Sequence, residues 1–191
     1  MSPVKIAIFA SGSGTNAENI INYFSGSTLC KVELILCNKN NAFVLERAKK
    51  LGVDTFVFSA NQLNESFIID ELLEARSIDF LILAGFLLKI PQRLLGKYPA
   101  RIINIHPALL PSYGGKGMYG MKVHQAVVEA GEKESGITIH LVDEHYDNGK
   151  ILFQARCTIS KGETPEDLAN KIHQLEQEHF PRVIQEYITT Y

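Results

Sequence analysis

Two hydrophobic rhythms alternate along the first hundred residues. Val4–Ala10 (VKIAIFA) is a short β-rich run closed by a glycine pair and predicts a buried strand; Thr15–Tyr23 then carries apolar residues at helical spacing. Further strands are predicted at 31–37, 55–58, 80–84 and 101–105. Between them lie helices predicted at 42–51, at 65–75 with Ile68, Leu72 and Ala75 on one face, and at 91–95, where Pro91 suits a first turn. A helix at 121–130 follows, then strands at 136–142 and 151–159 joined by the polar stretch DEHYDNGK. The last helix starts at Thr164-Pro165-Glu166-Asp167, which supplies an N-cap, a first-turn proline and acids for the helix dipole. It is expected to run to about His179, with Pro181 kinking or interrupting it. Strand–helix alternation implies right-handed crossovers, so the expected fold class is α/β with a doubly wound, mainly parallel sheet in a single domain.

A chain of 191 residues can bury a sizeable core, and 46% hydrophobic with 21% charged residues is ordinary globular usage. A net charge of -2 argues against a general nucleic-acid surface. Cys30, Cys37 and Cys157 form no C-x-x-C, so reduced thiols in a cytoplasm are expected, without a disulfide framework or metal. No run approaches the ~20 apolar residues of a membrane span, and MSPVKIAIFASGSG lacks a signal-peptide pattern.

In such sheets, ligands bind outside the carboxyl ends of the strands, where two stretches carry chemistry. The first is Gly12-Ser13-Gly14-Thr15-Asn16, a glycine turn leading into a helix N-terminus, whose free amides and dipole suit a phosphate. Gly12, Gly14 and Ala17 also satisfy G-x-G-x-x-G/A, but the acid expected after the second strand is replaced by LILCNKNN. A phosphate site, a dinucleotide site and a plain strand-to-helix turn all stay open. The second is Asn104-Ile105-His106-Pro107, where side-chain alternation puts the carboxamide and the imidazole on one face. That pair suits stabilisation of a developing oxyanion with proton transfer, or it simply satisfies loop backbone. Asp147 lies in His145-Tyr146-Asp147-Asn148-Gly149, which also reads as ordinary turn chemistry, with Asp143 and Glu144 as rival acids.

SGSGTN, AGF at 84–86, NIHPALLPSYGG and DEHYDNGKILFQ together resemble the phosphoribosylglycinamide formyltransferases, from Ile6 to about Pro181. The resemblance implies a Rossmann-like formyltransferase domain spanning 1–191, with a glycine-loop nucleotide half at about 1–100 and a folate and catalytic half at about 101–191. It implies formyl transfer from 10-formyltetrahydrofolate to the amine of glycinamide ribonucleotide in purine synthesis, with no metal, no nucleic acid and no membrane, by a cytoplasmic monomer or homodimer. Asn104 and a protonated His106 would stabilise the oxyanion, and Asp147 would keep His106 cationic, raising its pKa. Gly12, Ser13, Gly14, Thr15 and Asn16 would cradle the ribotide phosphate, and Glu176, with Glu178 as its neighbour in sequence, would bind ribose or glycinamide. Leu87, Leu88 and Ile90 would line the pterin pocket, opposite Val142, Glu144 and Tyr146. Leu110-Pro111 is a candidate cis bond.

The sequence departs from that pattern at LLKIP, where many relatives carry an arginine, and in SYGGKGMYGMKVH, which is longer than usual and whose glycines suggest a mobile loop. His124 reads either as a hydrogen-bonding neighbour of the catalytic histidine or as a helix-terminal surface residue; His140, His145, His173 and His179 read as structural or solvated. The competing activities are formyltetrahydrofolate hydrolase and methionyl-tRNA formyltransferase, expected to carry an extra N-terminal and a C-terminal domain respectively. A non-catalytic nucleotide-binding module is the rival from another class.

Overall fold

The computed structural model describes residues 2–191. Its elements are β1 (Val4–Ala10), α1 (Thr15–Tyr23), β2 (Cys30–Cys37), α2 (Val44–Lys50), β3 (Asp54–Val57), α3 (Ala60–Glu65), α4 (Ile68–Ala75), β4 (Phe80–Leu83), α5 (Gln92–Lys97), β5 (Ile102–His106), α6 (Met121–Glu129), β6 (Glu134–Leu141), β7 (Ile151–Thr158) and α7 (Pro165–Thr190). The strands follow the order β3-β2-β1-β4-β5-β6-β7 in one mainly parallel sheet, the α/β class expected. Two compact units divide at Ile103/Asn104.

In the first unit β1 pairs in parallel with both β2 and β4, and β2 with β3. Ile6 to Ala10 are fully buried, as are Ile35, Leu36, Leu81 and Ile82, because a parallel strand is covered on both faces. The strand order reverses at β1, whose neighbours run to β2 on one side and β4 on the other. Such a reversal opens a crevice at the strand ends. There Ser11 N–H donates to Gly85 O (3.1 Å), tying the turn after β1 to the turn after β4.

In the second unit β6 pairs antiparallel with β7, and α7 packs on both and on α6. Against expectation α7 runs through Pro181 to Thr190. The reason is burial: Leu168, Ile172, Phe180, Ile184 and Ile188 make one apolar stripe. Each such side chain contributes about 1.5–3 kcal/mol, against about 3 kcal/mol for an interior proline. The other departure is α3, a helix beyond those expected: Ser59 and Gln62 form a capping box in front of it, and the helix expected over 65–75 begins only at Ile68. Among the described residues no helix is long and apolar enough to cross a membrane.

Candidate active site

In the first unit the glycine turn is built as expected. Gly14 caps α1 in the left-handed conformation (φ 76), and a β-carbon there would collide with the Val44 side chain. The turn is held from behind: Val44 N–H donates to Gly12 O (3.2 Å), Arg47 Nε to Ser13 O (3.0 Å), and Arg47 is paired with Glu18. Gly12 and Ser13 are exposed, and Thr15 and Asn16 are half-buried at the start of α1. Ser11 donates to Asn38 Oδ1 (2.6 Å) and accepts from Leu87 N–H (3.1 Å), so Asn38, where a dinucleotide site would carry an acid, is used inside the protein. Leu87 is exposed, Leu88 half-buried and Ile90 buried.

The second unit brings Asn104, His106 and Asp147 into one connected group through a fourth residue, His140. His106 is 4% exposed, with Nε2 2.8 Å from Tyr113 O and Nδ1 3.5 Å from Asp147 Oδ2. His140 Nε2 lies 3.0 Å from Asn104 Nδ2 and 3.6 Å from Asp147 Oδ1, while its Nδ1 lies 2.8 Å from Leu141 O. A carbonyl can only accept, so His140 carries a proton on Nδ1; in the neutral ring Nε2 accepts from Asn104, and in the charged ring it donates to Asp147 Oδ1. With the ring neutral, one Asn104 amide hydrogen is thereby fixed and the second is left for a ligand. His140, read from sequence as structural or solvated, belongs to the site.

Of the three acids, Asp147 is the one that faces His106 and His140. Asp143 is spent inside its turn, accepting from His145 N–H (2.8 Å) and Asn148 Nδ2 (3.2 Å). The Glu144 side chain is 65% exposed, whereas that of Asp147 is 11% exposed and accepts from Gly115 N–H (2.9 Å). Burial would raise the Asp147 carboxyl, but His140, the charge on His106 and the Gly115 amide together hold it below its ordinary value.

The expected rise in the His106 pKa is not found. Burial pushes it below 6.5, and the opposing pull of Asp147 and Tyr113 O offsets only part of that. The ring is therefore neutral at pH 7, with its hydrogen on Nε2 facing Tyr113 O and Nδ1 open to a proton. His124 is likewise buried and pushed down, feeling both Glu176 and His106, which rules out the surface role. Glu176 is 13% exposed and pairs with His173 Nδ1 at 3.2 Å; Glu178 is 72% exposed. Glu144 and Tyr146 are exposed and Val142 half-buried. Leu110-Pro111 is cis, as expected. Among the described residues no group of three or more His, Cys, Asp or Glu could hold a metal ion.

A carboxamide, an imidazole and a carboxylate gathered at the end of β5 meet a family match: residues 4–184 fit the family described as Formyl transferase. The chain belongs to the formyl transferase family. Among curated relatives, the phosphoribosylglycinamide formyltransferase of Bacillus subtilis is 35% identical over 190 residues, covering 96% of this chain and 94% of its own. The chloroplastic phosphoribosylglycinamide formyltransferase of Arabidopsis thaliana is 43% identical over 182 residues, 92% of this chain. The chain spans only 61% of the length of that plant relative. Among solved structures, glycinamide ribonucleotide transformylase 1 from Geobacillus kaustophilus superposes with a TM-score of 0.87 at 37% identity, covering 97% of this chain and 99% of that one.

Proposed function

We propose that this formyl transferase moves the formyl group of 10-formyltetrahydrofolate to the amine of glycinamide ribonucleotide, a step of purine synthesis. The observation that carries the reading is the Asn104–His140–Asp147–His106 connection, which presents an amide donor and a proton-accepting imidazole together. The amine attacks the formyl carbon, a C–N bond forms and the formyl oxygen becomes an oxyanion. Asn104 donates its second amide hydrogen to that oxygen. The neutral His106 takes the proton shed by the amine, at Nδ1, and Asp147 stabilises the imidazolium so formed. The protonated ring adds to the oxyanion's stabilisation. Collapse breaks the bond to the folate nitrogen, which leaves with the proton that His106 had taken, and the ring returns to neutral. Formylated ribotide and tetrahydrofolate are the products, with no net proton change.

Gly12, Ser13, Gly14, Thr15 and Asn16 take the ribotide phosphate, supported by the exposed glycine turn at the start of α1. Glu176, half-buried where Glu178 is exposed, takes the ribose or glycinamide end. Leu87, Leu88 and Ile90, with Val142, Glu144 and Tyr146, bind the pterin. The proposed phosphate turn lies in the unit Met1–Ile103, and the group of Asn104, His106 and Asp147 in the unit Asn104–Tyr191. Three free cysteines, two of them buried, agree with a reducing cytoplasm.

The decisive experiment supplies both substrates and measures formylated ribotide and tetrahydrofolate. Formation of both in equal amounts is expected. A parallel reaction without ribotide detects formate: rapid formate release with no ribotide product would make the enzyme a hydrolase instead.

A further inference from the structure

We infer that Gln154 is a positioning residue for His106, acting from β7 through Thr138 on the turn that follows the histidine. The inference deepens the proposed transfer reaction and rests on it for the kinetic test alone.

The turn 107–113 has few internal bonds. Ser112 N–H donates to Leu109 O (3.1 Å), and the turn ends by returning Tyr113 O to His106 Nε2. Its middle is held from β6 and β7. Thr138, fully buried, donates its hydroxyl to Ala108 O (2.7 Å) and accepts from Leu110 N–H (2.9 Å). Gln154 Nε2 completes the knot, donating to Thr138 Oγ1 (2.9 Å) and to Leu110 O (3.1 Å). One hydroxyl donor and two acceptor lone pairs are thus all used, as are both hydrogens of one amide. Three backbone groups of the turn, Ala108 O, Leu110 N–H and Leu110 O, are fixed to the sheet this way.

The turn carries the carbonyl that selects the His106 tautomer. A ring donating Nε2–H to Tyr113 O leaves Nδ1 bare beside Asp147, the arrangement proton uptake requires. Loosening the turn shifts that carbonyl and mixes the tautomers, without touching a substrate-binding group. Buried networks of this kind fix geometry more than they add stability when every member is satisfied.

The test uses Gln154→Met, close in volume but without the donors, and Gln154→Asn, which keeps an amide too short to reach both acceptors. Thr138→Ser, which retains the hydroxyl, is the rescue control. Both Gln154 variants are expected to lose turnover by about 10- to 100-fold, the worth of one or two buried hydrogen bonds, with KM for either substrate within about 2-fold. The His106 ring should show a shifted titration midpoint and a broadened Nε2 signal by NMR; Thr138→Ser should keep wild-type values in all readouts. The NMR readout needs no substrate, so it judges the positioning role even if the transfer reaction itself proves wrong. A folded Gln154 variant, Met or Asn, with wild-type turnover and an unmoved His106 titration overturns the inference.

Discussion

His106 sits between two acceptors, Tyr113 O and the Asp147 carboxylate, yet is buried deeply enough to stay neutral. Burial penalises the charge, and in the proposed reaction the acceptors reward it once a proton has come from the substrate. Asp147→Asn should lower turnover by about 10²- to 10⁴-fold, the usual reach of proton-transfer groups. It should also move the His106 midpoint further down, since it removes the largest upward pull. A midpoint that rises in the variant, followed by NMR, would contradict this balance. At the other site Thr15→Val keeps shape and removes a hydroxyl at the start of α1. Ribotide affinity should fall by about 10- to 100-fold, corresponding to one hydrogen bond to a charged phosphate at about 1.5–3 kcal/mol. Calorimetry that finds wild-type affinity would remove Thr15 from the proposed phosphate site. Gly14 is a poorer probe, because a side chain there collides with Val44 before it meets any ligand.

Elements differ in how much of them can be read locally. β4 announces itself as an unbroken apolar run, β1 and β2 by the apolar stretches Ile6–Ala10 and Leu34–Cys37 that end them, and α7 by its Thr164 cap. That cap, a reciprocal pair with Asp167, should make Thr164→Ala cost about 1 kcal/mol in urea unfolding, with an unchanged m-value. α3 carries an equally local signal in Ser59-Ala60-Asn61-Gln62, and that signal was readable. The passage of α7 through Pro181 was not, because it depends on which residues the packing buries. The site divides along the same line. Asn104 and His106 share a face by strand alternation alone, and Asp147 came from a motif. The part played by His140 depends on a contact 36 residues away, and the sign of the His106 shift on a burial that no spacing encodes.

For the molecule as a whole, two buried histidines set an acid limit. His106 and His124 both have folded pKa values below 6.5. The unfolded chain binds more protons between those values and 6.5, so stability is full above about pH 6.5, falls as pH drops below it, and levels off under the depressed values. His173, raised by its contact with Glu176, works in the opposite sense, but its side chain is 44% exposed and solvent screens it. The urea midpoint should therefore be lower at pH 5.5 than at pH 7.5; equal midpoints would mean that neither ring is depressed. The acceptor facing His106 Nε2 has a further consequence, because it is main chain rather than side chain. No replacement at position 113 deletes that oxygen; Tyr113→Phe costs only the hydroxyl contact with Glu132. A survey of point variants would pass over this contact, whereas adding or removing a single residue between 107 and 112 would displace it. What natural variation must preserve in that turn is its length.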